Sequence, residues 1–294
     1  MKKLSFLFAA LVAGMFGLSA QAEFTAWVYD YGSNTPRAAQ ESWTVANLVD
    51  DGTYDRGITV LSCNRLYAES VAEGTLAYIL TAQRRIPDYI ADVRNGSWRT
   101  EASVWEGLIG KTVGIVGMGT ISRLLIPLLV PFRVKLRYFS HYPVDKAFEE
   151  KYGLERVSLE ELFSSCDIVT LHSALNTDNR SLIGKELLSL LKDNALFVNT
   201  ARGDVVDEDA LISALREKRF RALLDVYRKE PLAEDNPLRA LPNVYPLPHM
   251  AGPTLDRRAP IARALIDDMV RFFEGDPHPE LEITKAAAKR MTKH

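Results

Sequence analysis

Val113-Gly114-Ile115-Val116-Gly117-Met118-Gly119 is the stretch on which the fold turns. A short apolar run rich in β-branched residues leads into two glycines one residue apart, and a helical pattern over 121–130 follows. In that strand–turn–helix context Gly117 makes a tight turn, and Gly119 lets a pyrophosphate approach the backbone. The helix that opens there offers amide donors and the positive end of its dipole. Glycine pairs at such junctions also arise from packing alone. The third glycine position holds Ser122, which leaves the pattern incomplete.

Outward from this turn the chain alternates two periodicities. Strand candidates fall at 112–116, 135–139, 168–171, 195–198, 221–225 and 244–247, with helical patterns at 121–130, 159–163, 185–191 and 208–217 between them. This rhythm predicts an α/β architecture, a doubly wound parallel sheet covered on both faces. Upstream, 58–61 reads as a strand. The stretch 69–93 reads as helix, with Val71, Leu76, Leu80 and Ile90 facing inward, Pro87 kinking or dividing it, and Asn95-Gly96 stopping it. Downstream, 260–273 is an amphipathic helix with Ile261, Leu265, Met269 and Phe272 on one stripe, and 285–294 reads as an exposed tail.

The chain is 47% hydrophobic and 25% charged, a balance that supports a full globular core. A net charge of −2 gives no basic surplus and excludes nucleic acid as the expected partner. Cys63 and Cys166 lack metal-type spacing and read as buried free thiols, with a single long-range disulfide as the other reading. At the N-terminus, Lys2 and Lys3, an apolar run over 4–18 and Ala20-Gln21-Ala22 form the three parts of a secretory signal. The run is too short for a membrane span, so no membrane association is expected once 1–22 is removed.

Three residues in the second half suggest chemistry: Arg202 in Val198-Asn199-Thr200-Ala201-Arg202-Gly203, Glu230 before Pro231, and His249 in Leu247-Pro248-His249-Met250-Ala251-Gly252. Behind a nucleotide-binding turn, such a set suits hydride transfer to a keto acid. Arginine can orient the substrate and polarise its carbonyl, histidine can move the proton, and glutamate can hold the histidine. Each also has a plain structural reading: a surface ion pair, a loop marker, a strand-end histidine. The acid that usually binds the ribose 2′-hydroxyl about 20 residues beyond the turn is replaced by Ser140. Ser140 does not repel a 2′-phosphate, and Arg137 or His141 can attract one, so the cofactor is NAD or NADP.

Taken together, the chain resembles the D-isomer-specific 2-hydroxyacid dehydrogenases, which include phosphoglycerate, glycerate and D-lactate dehydrogenases. The resemblance runs over about 57–275. It rests on Val71-Ala72-Glu73-Gly74, 107–119, Leu171-His172-Ser173-Ala174-Leu175, 199–210, 225–231 and 248–252, in that order. It implies that Arg202 grips the substrate carboxylate and carbonyl, that His249 is the acid/base, and that Glu230 is its partner. For the cofactor it implies Gly117, Gly119, Thr120 and Ile121 at the pyrophosphate and Ser140 at the ribose. His172 and Ser173 would lie beyond a strand end and Thr200 and Asp225 near the nicotinamide side, with Ala201, Arg202, His249 and Gly252 also among the cofactor contacts. A small 2-hydroxy or 2-keto acid substrate, a homodimer and a cytoplasmic location are implied likewise, the last in conflict with the signal-like segment.

One departure from the family concerns the front of the chain. The family's substrate domain is of ordinary domain size, about a hundred residues, whereas only 23–56 stand in its place here. The expected organisation is a signal-like segment (1–22), a truncated substrate domain with its linking helix (23–78), a Rossmann-type dinucleotide-binding domain (79–255), and a returning helix and tail (256–294). Trp43-Thr44-Val45-Ala46-Asn47 occupies the place of the family's glycine-rich substrate loop. A non-catalytic nucleotide-binding remnant or sensor of the same fold is the alternative, and an exported binding protein a third reading.

Overall fold

The computed structural model describes residues 51–288, apart from 101, 102, 104 and 177. The signal-like segment, the 43–47 stretch and the end of the tail lie outside the described residues. The first elements are α1 (Asp51–Asp55), α2 (Asn64–Gln83) and α3 (Ile86–Arg94). As Pro87 requires, the expected 69–93 helix is divided. Arg85 takes a left-handed conformation (φ 51°), and the proline stands in the first turn of α3, where a missing N–H leaves no intrahelical bond unmade.

Seven strands follow: β1 (Thr112–Val116), β2 (Lys135–Phe139), β3 (Leu154–Arg156), β4 (Ile168–Leu171), β5 (Leu196–Asn199), β6 (Arg221–Leu224) and β7 (Val244–Pro246). Among the described residues they form one all-parallel sheet in the order β3-β2-β1-β4-β5-β6-β7. The connecting helices are α4 (Thr120–Leu129), α5 (Lys146–Tyr152), α6 (Leu159–Ser165), α7 (Lys185–Leu190) and α8 (Glu208–Arg216). Then come α9 (Leu255–Phe273) and α10 (Lys285–Ala288). The strand order reverses between β1 and β4, which opens a crevice beyond the carboxyl ends of the strands, the usual ligand position in such a sheet.

Alternation along the strands divides the core between the two faces. Val169, Leu171 and Phe197 join Phe163, Leu188, Leu215 and Phe220 on one side. Ile115, Ile168, Leu196 and Val198 join Ile79, Leu108, Leu125 and Tyr138 on the other. Burial on both faces is why these strands read as continuous apolar runs.

Several elements depart from expectation. The buried stripe of α2 is Ala68, Ala72, Thr75, Ile79 and Ala82, while Val71, Leu76 and Leu80 are half-buried and Ile90 of α3 is 47% exposed. Small residues bring α2 close against α4, so the larger apolar side chains sit at the margins of the contact. Residues 58–61 form no strand. They lie apart from the sheet, and Leu61 makes a single antiparallel bridge with Glu282. β3 and α5 appear where the apolar pattern is weak. β3 is three residues at the sheet edge, and α5 is set by its caps: Asp145 accepting from the Ala147 N–H (2.8 Å) and Gly153 at φ 61°.

α9 begins at Leu255, in place of the expected start at Pro260, with Thr254 extended before it and Asp256 in its first turn. Its Leu265, Met269 and Phe272 are half-buried beside the buried Ile261. The tail is not uniformly exposed, since α10 forms and buries Ala288. Both cysteines are free thiols, Cys166 buried and Cys63 half-buried. Among the described residues no helix is long and apolar enough to cross a membrane, and no side-chain cluster could hold a metal ion.

Gly114 in the middle of β1 measures how tightly α6 lies on the sheet. A Cβ there would stand 2.6 Å from Leu162 Cδ2 and 2.8 Å from Cys166 Sγ. Overpacking of this kind costs about 1–3 kcal/mol, so Gly114→Ala is expected to lower the urea midpoint without changing the slope of the transition. A midpoint equal to that of the parent would show that α6 yields freely.

Candidate active site

The crevice begins at the glycine turn. Gly117 holds φ +94°, and a Cβ there would lie 2.7–2.9 Å from Ser173 Oγ, N and Cα, so only glycine fits. Its N–H donates to the Phe139 carbonyl (2.8 Å), which ties the turn to the end of β2. Gly119, the N-cap of α4, and Thr120 are exposed, and Ile121 is half-buried; a Cβ on Gly119 would meet nothing within 4 Å. Ser122, which breaks the glycine pattern, is fully buried, and its hydroxyl donates to the Gly117 carbonyl (2.6 Å). The third position is thus a side chain that braces the turn from below.

On the other side of the switch point, β4 delivers His172 and Ser173. The His172 N–H donates to the Val116 carbonyl (2.8 Å), and its ring Nε2 lies 3.0 Å from Thr170 Oγ1. The ring Nδ1 is buried with no hydrogen-bond partner among the described residues, and burial pushes the imidazole down to about 4. Ser173 Oγ donates to the Val116 carbonyl at 3.3 Å.

β5, β6 and β7 end side by side, and each ends in part of the candidate site. After β5, Asn199 Oδ1 accepts from the Ala201 N–H (3.0 Å), and its Nδ2 donates to the Arg202 carbonyl (3.1 Å). This buried asparagine shapes the 200–202 turn. The sequence reading missed it, although an amide side chain at a strand end is a recognisable turn former. Thr200 and Ala201 are buried, and the Thr200 hydroxyl shares a hydrogen bond with Thr75 of α2 (3.1 Å). Arg202 is half-buried and extended (φ −144°), with Nη1 donating to the Ala201 carbonyl at 2.7 Å.

After β6, Asp225 is fully buried, and its two oxygens accept from the Met250 and Ala251 N–H groups at 2.8 Å each. Burial holds this carboxyl above the usual carboxylate range, and the two amides and the His249 ring act against that rise. Tyr227 anchors the same loop, its hydroxyl 2.9 Å from the carbonyls of Leu224 and Leu247. Glu208 of α8, also missed from sequence, is buried and accepts from the Arg228 N–H (2.9 Å) and from Asn236 Nδ2 (3.1 Å). Gly203 sits hard against the Tyr227–Arg228 peptide, where a Cβ would fall 1.9 Å from the Tyr227 carbonyl carbon.

This scaffold brings Glu230 to His249. The His249 Nδ1 lies 2.8 Å from Glu230 Oε2 and 3.1 Å from Oε1, and Oε1 also accepts from the Tyr227 N–H (3.1 Å). His249 has φ 53°, a left-handed conformation uncommon outside glycine, asparagine, aspartate and histidine. Gly252 follows in open space, and Gly74 of α2 packs on the backbone of Ala251, with 3.3 Å between a built Cβ and its carbonyl oxygen.

Ser140 is buried just beyond β2. Its hydroxyl accepts from the Tyr142 N–H (3.2 Å), and its carbonyl accepts from Arg156 Nη2 (2.8 Å). Of the two cations expected beside it, His141 is exposed with its ring edge-on to Phe139. Arg137 is engaged with other partners, donating to Glu155 (2.9 Å) and Ser165 (2.6 Å).

Residues 76–251 match the family described as D-isomer specific 2-hydroxyacid dehydrogenase, NAD binding domain. The glyoxylate reductase of Aeropyrum pernix is 36% identical over 233 residues, covering 76% of this chain and 69% of that protein. The D-3-phosphoglycerate dehydrogenase of Methanocaldococcus jannaschii is 33% identical over 234 residues, covering 79% of this chain and 44% of that longer protein. Among solved structures, a protein of Thermus thermophilus superposes with a TM-score of 0.69 at 32% identity, covering 80% of this chain and 74% of that one.

The buried His172 ring makes stability depend on pH. In the unfolded chain it takes a proton as pH falls below 6.5, whereas in the folded protein it resists until about 4. The unfolded state therefore binds the proton first, and stability drops between those values by on the order of 3 kcal/mol. His172→Gln is expected to flatten the thermal midpoint between pH 6.5 and 4; an unchanged pH profile would assign the loss to other groups.

Proposed function

The chain belongs to the D-isomer specific 2-hydroxyacid dehydrogenase family, and from that premise we propose that Arg202, Glu230 and His249 carry its reaction on a small 2-keto acid. Family membership makes it an oxidoreductase that moves a hydride between NAD(P) and the CH–OH carbon of a small 2-hydroxy acid. The observation that carries the residue assignment is the His249–Glu230 pair, 2.8 Å apart at the carboxyl edge of the sheet. Relatives that include a glyoxylate reductase and a glyoxylate/hydroxypyruvate reductase favour glyoxylate or hydroxypyruvate as substrate.

The residues fit a dinucleotide. Gly119 leaves open space at the start of a ten-residue helix, and the buried Nδ1 of His172 keeps a hydrogen-bonding position that no described residue fills. Gly117 to Ile121 would hold the pyrophosphate, and Ser140 the adenosine ribose. Ser173, Thr200, Ala201, Asp225 and Gly252 would line the nicotinamide side. When bound, NAD(P)H supplies the hydride.

The remaining steps belong to the protein. One Arg202 N–H is spent on the Ala201 carbonyl, so the guanidinium is held with donors left to grip the substrate carboxylate and polarise the carbonyl. With Nδ1 turned to Glu230, the Nε2 of His249 is the ring nitrogen that gives its proton to the carbonyl oxygen as the alcohol forms. Glu230, at hydrogen-bond distance from Nδ1, fixes the ring's orientation throughout. Oxidation runs the same path backward.

The dimer expected from the resemblance finds support in α3, which buries no residue of its own. It presents the exposed Ile86, Ile90 and Val93 at helical spacing along one side, and the exposed Trp98 follows in the chain. We assign this surface to a second copy of the chain, because apolar groups gathered on one face mark an association site.

Oxidation of NADH or NADPH by the purified chain with glyoxylate, hydroxypyruvate and pyruvate tests the activity. His249→Ala is expected to lower kcat by roughly 10²–10⁴-fold while nucleotide binding persists; full turnover in that variant would remove the proton-transfer role. Light scattering tests the assembly. The parent should show twice the chain mass and Ile90→Asp the single mass, whereas a monomeric parent would remove the dimer.

A further inference from the structure

Two arginines near the end of β2 take no part in the chemistry above. Arg156 reaches from the edge strand β3 to the Ser140 carbonyl, sixteen residues away in sequence (2.8 Å). It is exposed, and it forms no ion pair among the described residues. Arg123, in the first turn of α4, lies with its guanidinium carbon 4.8 Å from the centre of the Phe148 ring and likewise has no carboxylate partner among them. We propose that Arg156 and Arg123, with the Ser140 hydroxyl between the turn and the sheet edge, form a site for the 2′-phosphate of NADP(H), so that the chain prefers NADPH over NADH. The inference rests on reading the 117–122 turn as a dinucleotide cradle.

The placement follows from the sheet. Because the Gly117 N–H is bonded to the Phe139 carbonyl (2.8 Å), the residue after β2 lies beside the phosphate turn, where the adenosine ribose sits in such folds. A carboxylate at that point bonds the 2′-hydroxyl and repels a 2′-phosphate; the Ser140 hydroxyl can bond either group and repels neither. Arg156 has one N–H fixed on the Ser140 carbonyl, which orients the remaining donors of its fork at the same place. A guanidinium held in this way suits a phosphate, which takes parallel, charge-assisted hydrogen bonds.

The acids nearby are already engaged. Glu149 of α5 accepts from the Tyr138 hydroxyl, Asp145 caps α5 through the Ala147 N–H (2.8 Å), and Glu155 takes Arg137 (2.9 Å). Arg156 stands opposite Tyr138 in the sheet register, and Arg123 lies over Phe148, the neighbour of the Glu149 that accepts from the Tyr138 hydroxyl, which ties both arginines to the contact between β2 and α5.

Calorimetry on the full chain with adenosine 2′,5′-bisphosphate and with AMP tests the site without any turnover. The bisphosphate is expected to bind at least about tenfold more tightly. Arg156→Gln should weaken it by roughly 10- to 100-fold while leaving AMP binding unchanged, in line with charge-assisted hydrogen bonds. Arg123→Gln should weaken it to a smaller degree, and a thermal melt of each variant reports that the fold is intact. Ser140→Asp should reverse the order of NADP and NAD. Equal affinity of the parent for both probes, or an Arg156→Gln variant that keeps the full preference, overturns the proposal and leaves the dehydrogenase reading standing. Binding of neither AMP nor either dinucleotide overturns the proposal together with the reading it rests on.

Discussion

The carboxylate of Asp225 is the fixed point of the candidate site. A buried carboxylate is costly unless its lone pairs are taken, and here two backbone amides take them, one on each oxygen. Those amides belong to Met250 and Ala251, so satisfying the acid draws the chain after β7 back over the end of β6. The residue just before them, His249, is thereby held in a left-handed conformation that it would not keep by itself. Its ring is then delivered to Glu230, whose second task is to receive the Tyr227 N–H. Removal of the Asp225 carboxylate would leave two amides without acceptors and the histidine without its reason to turn.

Electrostatics divides the crevice along its length. At the turn the useful charge is the positive end of α4 and its unpaired amides, without ionised side chains. Near the ends of β5 to β7 stand a cation, Arg202, after β5 and a histidine paired with a carboxylate, His249, after β7. At the outer edge, α4 and β3 contribute Arg123 and Arg156, neither of which has an ion-pair partner among the described residues. On the proposed reading, a small keto acid would meet the cation and the histidine, while the dinucleotide beside it would meet the helix end and the outer guanidinium groups.

Much of this was legible in the sequence because parallel strands buried on both faces advertise themselves as apolar runs. β1, β2 and β4 fall where the pattern placed them, and β5, β6 and β7 differ only at their ends. β3 and α5 were missed because caps and edge pairing, rather than hydrophobic period, set them. The stripe of α2 was misjudged for a related reason: alanines and a threonine form its contact, and these carry little signal next to leucine and isoleucine. Order and local context singled out Arg202, Glu230 and His249. Asn199, Glu208 and Arg156 did not stand out, since their importance lies in hydrogen bonds to partners that only the fold brings near. Ser122 looked like a flaw in the glycine pattern; its hydroxyl on the Gly117 carbonyl shows it as an alternative way to brace the turn.

Gly203 carries a consequence for how such a protein can change. With no room for even one carbon between it and the Tyr227–Arg228 peptide, the segment bearing the arginine and the segment bearing the glutamate cannot move independently. Asp225 joins the histidine segment to the same unit, and Gly74 presses α2 against it. The rear wall of the crevice therefore behaves as a single casting. Selection acting on substrate preference has little freedom there, and variation has to come from residues that border the crevice without being cast into it, which lets one reaction persist while the molecule it acts upon drifts.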